Sequence, residues 1–154
     1  MEQAGVWVER PRDRGVEIAS HADVFTLRDS FEADRFEAAI ALGPQTSLAR
    51  SMEGLVRFRN DLARVTTPTA TAVLDGYDPE HPKTKAILDY YDDIADGLAY
   101  RLLQMEYDGV LGDIWLYRLF TPDRIREATA ETDWELADVN YTQENLYQAA
   151  LTKV

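Results

Sequence analysis

The chain has 154 residues, 45% of them apolar, with no cysteine and a formal charge of −12 from 16 basic and 28 acidic residues. Disulfides and thiolate metal sites are thereby excluded, and so acidic a surface repels phosphate backbones and anionic lipid, arguing against a direct grip on nucleic acid. No apolar run approaches the roughly 20 residues of a membrane-spanning helix, and the first residues lack a leader's apolar centre, so the expected setting is the cytoplasm or a virion, away from any membrane.

In chain order, Val6-Trp7-Val8-Glu9 and Val16-Glu17-Ile18 read as two short strands about the turn-rich stretch from Pro11 to Gly15. A lone hairpin is marginal in water, so either the helices that follow or a neighbouring chain must cover it. Ser20 to Asp23 forms a capping S-x-x-D start, and Val24, Leu27, Phe31, Ala38 and Leu42 mark the helix it opens, closed by Gly43-Pro44. Leu48, Met52, Leu55, Leu62 and Val65 mark the next helix. Residues 68–83 read as a loop, with turn chemistry at Asp75-Gly76, Asp78-Pro79 and His81-Pro82.

The dominant stretch is Thr84 to Phe120. Ile87, Tyr91, Ile94, Leu98, Leu102 and Met105 recur at gaps of three and four, the spacing of one helix face, while Asp89, Asp92, Asp93, Asp96 and Arg101 occupy the other. Gly109 and Gly112 divide this long helix from a shorter one ending at Phe120. Thr121-Pro122-Asp123 is a strong helix start, opening a helix towards Val139, and a last helix begins near Thr142. The expected fold is therefore mainly α: a single domain over residues 1–154, with a β-hairpin arm at 1–19 and a bundle of about five helices over 20–154.

Three stretches carry partial motifs. Asp92-Asp93-Ile94-Ala95-Asp96 resembles the DDxxD motif of trans-prenyltransferases and terpene synthases, whose aspartates hold magnesium against a diphosphate. Asn60-Asp61-Leu62 is similar to the opening of their second motif, but it lies upstream here and lacks the serine and glutamate. Glu135-Leu136-Ala137-Asp138 resembles the ExxD half of the MazG-type all-helical pyrophosphohydrolases, without the ExxE half. A di-iron bundle needs Glu-x-x-His on two helices, and neither His21 nor His81 has that glutamate. The acids are thus assigned to solvated faces and the histidines to surface or capping positions. No catalytic residue, metal ligand or cofactor is assigned.

Tyr90, Tyr91, Tyr100, Tyr107, Trp115, Tyr117 and Phe120 crowd one stretch of the chain, and Tyr and Trp favour places where one end of the side chain is buried and the other wet. Val6, Trp7, Val8, Tyr90, Tyr100, Tyr107, Trp115 and Tyr147 are the candidate interface. The functional expectation is a non-enzymatic, acidic structural subunit that binds other protein subunits in a homo-oligomer or hetero-assembly, most concretely a virion connector or head–tail adaptor. The alternatives are a magnesium-dependent all-α nucleotide or diphosphate hydrolase, and a small acidic regulator of a basic partner.

Overall fold

The computed structural model describes residues 11–20, 22–43 and 45–154. After α1 (Leu27–Ser30) comes β1 (Phe36–Ala41), then a single 3-10 turn (Thr46–Ala49), α2 (Met52–Val65) and β2 (Thr66–Tyr77). The chain continues through α3 (Pro82–Leu88), β3 (Tyr91–Asp92), β4 (Leu98–Tyr107), β5 (Val110–Phe120), α4 (Pro122–Thr129), β6 (Trp134–Gln143) and β7 (Leu146–Lys153). The molecule is mixed α/β and not the expected helical bundle.

Four strands form the main sheet in the order β1-β2-β7-β6. β1 and β2 are parallel, with Ile40 opposite Val73, and parallel neighbours need a crossover. The segment from Leu42 to Val65, with α2, supplies it. Ser51 starts α2 by accepting the Gly54 N–H at 3.0 Å. Leu55, Phe58, Leu62 and Val65 recur at helical spacing and are buried. β2 follows without a loop, and the Thr66 hydroxyl donates back to the Leu62 carbonyl at 2.7 Å. β2 and β7 are antiparallel, as are β7 and β6. α2 and α4 pack on this sheet over a core that includes Leu74, Ile125, Trp134 and Leu151.

The second sheet, β3-β4-β5, is antiparallel and has its own small cluster of Tyr90, Ala99 and Leu119. β4 and β5 form a long ribbon closed by Asp108 (φ +51°) and Gly109 (φ +75°). Near its end Gln104 pairs with Ile114 and Glu106 with Leu111, so Gly112 and Asp113 together stand opposite Met105 alone. The Gln104 amide donates to the Gly112 carbonyl there at 2.9 Å.

The long helix expected between Thr84 and Phe120 is therefore α3 followed by three strands. Most of its supposed core stripe is open to solvent: Ile94 is fully exposed, and Ile87, Tyr91, Leu102 and Met105 are each more than half exposed, while Leu98 is partly buried against the main core. The expected helix from Val24 to Gly43 is α1 and β1, the loop at 68–83 holds most of β2, and the last helix is β6 and β7. The helix expected over Leu48–Val65 is found from Met52 onward, Leu48 lying in the 3-10 turn before it; the start at Thr121 is found, although α4 ends at Thr129 and does not reach Val139. Of the expected hairpin arm, Val6 to Glu9 lies outside the described residues. Residues 11–13 make a helical turn, and 16–18 form no strand. Among the described residues, no helix is long and apolar enough to cross a membrane.

Candidate functional site

A cavity of about 730 Å³ lies beyond the carboxyl end of β1, between the turn and helix that follow that strand and the β4–β5 ribbon. In open α/β sheets ligands bind outside the carboxyl ends of the strands, and this volume falls within the roughly 300–1,000 Å³ of small-molecule sites. Its floor is the segment after β1. Gly43, at φ +75°, donates its N–H to Asp75 Oδ2 at 2.9 Å, and the Thr46 hydroxyl donates to the Asp75 carbonyl at 2.6 Å. These two bonds pin the turn to β2 and present Gln45, Leu48, Ala49 and Arg50 to the cavity. Arg50 adopts φ +65°, the left-handed region that favours glycine.

Gly54 and Arg57 of α2 continue the floor. A Cβ at Gly54 would meet the Ala49 carbonyl oxygen at 2.0 Å, so only glycine lets α2 start this close to the turn. One wall is Ala22, Asp23, Val24 and Phe25. The Phe25 ring stands edge-on to Phe58 of α2 at 5.9 Å, and Asp23 Oδ1 accepts the Phe25 N–H at 2.9 Å. The roof comes from the ribbon: Leu103 and Met105 of β4, with Trp115 and Tyr117 of β5. Leu103 pairs with Trp115, so alternation brings them to the same face.

Electrostatically the floor is strained at Asp75. Burial pushes its carboxyl above the ordinary carboxylate range, partly offset by the Gly43 N–H, and Oδ1 has no partner among the described residues. Deeper still, Arg59 is fully buried. Its Nη1 donates to the Ile125 carbonyl at 2.6 Å, Nε and Nη2 have no partner among the described residues, and burial pulls its pKa down to about 10. Tyr147, pushed upward by burial, donates to the Phe120 carbonyl at 2.7 Å.

The residues singled out in the sequence do not converge. Tyr90 is buried with its hydroxyl on the Pro79 carbonyl, and Tyr147 is buried in the main core. Tyr100 stacks on Tyr91 at 5.5 Å, and Tyr107 is exposed at the ribbon's end. Trp115 alone of them lines the cavity, while Val6, Trp7 and Val8 lie outside the described residues. His81 caps α3 by accepting the Lys83 N–H at 3.3 Å; His21 lies outside the described residues. Asp92 pairs with Lys85, and Asp93 with Arg118. Among the described residues no three His, Asp or Glu side chains gather as metal ligands. The cavity residues missed in the sequence come from four separate segments, and no local spacing joins them.

No protein-family model matches the chain, and no curated protein does. Solved structures do. A SAM-dependent methyltransferase from Bacteroides fragilis, in complex with S-adenosyl-L-homocysteine, is similar with a TM-score of 0.74 and 18% identity, over 98% of this chain and 60% of that one. The PH0226 protein from Pyrococcus horikoshii OT3 has a TM-score of 0.70 and 13% identity, over 98% of this chain and 68% of that one. The CcbJ methyltransferase from Streptomyces caelestis has a TM-score of 0.68 and 10% identity, over 99% of this chain and 78% of that one. The chain thus spans 60% of the length of the Bacteroides fragilis protein. What is shared at these identities is the fold. It overturns the expected helical connector and the all-α hydrolase, since both presuppose a bundle that is not there, and the acidic regulator gives way with them. The expectation of a non-enzymatic subunit falls too, because the similar proteins include enzymes.

Proposed function

We propose that this chain forms the substrate-facing part of an S-adenosylmethionine-dependent methyltransferase. The observation that carries the reading is the place of the cavity: outside the carboxyl end of a parallel strand, under an aromatic roof, in a chain whose fold matches that of such enzymes. The residues present fit the adenosyl part of the cofactor. Asp23 Oδ1 is taken by its own Phe25 N–H, which leaves Oδ2 as an acceptor for a hydroxyl or amine, and Phe25 gives an apolar face for a base. S-adenosylmethionine, when bound, supplies an electrophilic methyl group on a sulfonium.

The chain's own residues then do three things. Asp23, Val24 and Phe25 orient the donor, and the pinned turn from Gly43 to Arg50 fixes the floor against which the acceptor rests. Trp115, Tyr117 and Leu103 cover the acceptor and exclude water. Methyl transfer needs little more than a donor and a nucleophile held in line, so positioning is the larger part of the catalysis. Calorimetric titration of the full chain with S-adenosylhomocysteine tests the reading. Saturable binding that Asp23→Asn and Phe25→Ala each weaken about tenfold is expected. A folded chain that takes up no S-adenosylhomocysteine overturns it.

A further inference from the structure

We infer that the molecule methylated in this cavity is an aromatic carboxylate, its charge held by Arg50 and Arg57 and its ring covered by Trp115 and Tyr117. The inference deepens the methyl-transfer reading and rests on it for what is done to the bound molecule. Its own support is the charge and shape of the lining.

Among the described residues, three charged side chains line the cavity: Asp23, Arg50 and Arg57. The lining therefore has one more positive charge than negative, in a molecule of formal charge −12. Elsewhere Arg28 meets Asp61, Arg118 meets Asp93 and Arg124 meets Glu127, whereas Arg14, Arg35, Arg64, Arg101 and Arg126, away from the cavity, form no ion pair among the described residues. Among the described residues, Arg50 and Arg57 form no ion pair and no side-chain hydrogen bond, although acids outnumber bases in the chain. Two unpaired forks on one cavity form a local site for an anion in a surface that otherwise repels anions. A guanidinium fork matches the two oxygens of a carboxylate.

Arg50 adds a second observation. Its backbone lies at φ +65°, where glycine would be unstrained, and yet the position holds a long cation directed to the cavity. Strain of this kind clusters at ligand-binding positions. Across the cavity, Trp115 and Tyr117 offer flat, apolar faces, with Leu103 and Met105 beside them. A charged group at the floor and a ring against the roof fit one molecule of modest size.

The test compares phenylacetate with its neutral amide, phenylacetamide, by ligand-observed saturation-transfer NMR, with S-adenosylhomocysteine titrated into the same preparations. The native chain is expected to bind the carboxylate about tenfold more tightly than the amide. The double variant Arg50→Gln with Arg57→Gln should lose that preference, and Trp115→Leu should weaken both probes alike. Equal binding of the two probes by the native chain, no binding of phenylacetate, or a preference that survives the double substitution overturns the inference. Binding of S-adenosylhomocysteine without a carboxylate preference overturns it alone and spares methyl transfer. A carboxylate preference without S-adenosylhomocysteine binding supports the anion site and overturns the methyl-transfer reading.

Discussion

Arg59 carries a full charge into the core with a single hydrogen-bond partner. Its folded-state pKa, about 10, lies below the ordinary value of 12.5, so the charged form opposes folding at neutral pH. Replacing a buried charge by an apolar side chain of similar length is often neutral or stabilising. Arg59→Met is therefore expected to keep urea stability within about 1 kcal/mol of native or raise it, whereas Arg59→Ala leaves a cavity and costs about 2–5 kcal/mol. A large loss in Arg59→Met would mean that the guanidinium contributes more than its one bond. Asp75 behaves in the same sense with the opposite charge. Its carboxyl is raised above 3.8 by burial, so ionised Asp75 opposes folding above its folded-state pKa, and that opposition fades as pH falls towards 3.8. Relative to Asp75→Asn, the native chain should gain stability in urea melts as pH falls from neutral towards 3.8. A gap that stays constant over that interval contradicts the assignment.

At the scale of elements, the β4–β5 ribbon is the part of the fold on which the cavity depends most. Asp108 and Gly109 both adopt positive φ, as a two-residue turn matched to the twist of a hairpin requires. Gly109→Val forces a β-branched residue into that conformation and should cost about 1–2 kcal/mol. It should also speed amide exchange at Leu103 and Trp115, and unchanged exchange there would separate the roof from its turn. The same Asp-Gly pair shows why this region was misread in the sequence. It is a hairpin signal, but Ile87, Tyr91, Ile94, Leu98, Leu102 and Met105 happen to fall at helical gaps and suppressed it. A ribbon with apolar residues on both faces, Leu103 towards the cavity and Leu102 towards solvent, gives no clean alternation to compete with that pattern. Cap chemistry is local, so the start of α4 at Thr121 and the span of α2 were legible, and the Thr121 side chain does accept the Arg124 N–H. The site was hardly legible. Trp115 stood out as an aromatic residue, but Asp23, Arg50 and Arg57 meet it only through pairings distant in sequence.

Across the whole molecule the two sheets are anchored unequally. β2 and β7 are central in the main sheet and bury Leu74, Ala149 and Leu151, while the far end of the β4–β5 ribbon exposes Met105, Tyr107, Val110 and Ile114. Local stability follows buried apolar contact. Native-state hydrogen exchange should therefore be slowest at Leu74, Ala149 and Leu151, and faster by orders of magnitude between Met105 and Ile114. Equal protection in both regions would argue that the ribbon opens only when the whole chain does. A cavity floored by the turn and α2 that the main sheet anchors, and roofed by the softer ribbon, can admit a ligand without disturbing the core.

The two residues that oppose Met105 have a further effect. They give β5 one residue that β4 does not match, a bulge that bends the ribbon and sharpens its twist. Deleting Gly112 would leave Glu106 opposite Leu111 and take the bend out, while Trp115 and Tyr117, paired on the sheet side of it, keep their faces. A single inserted residue accordingly sets how far the tip leans without deciding which side chains look into the cavity.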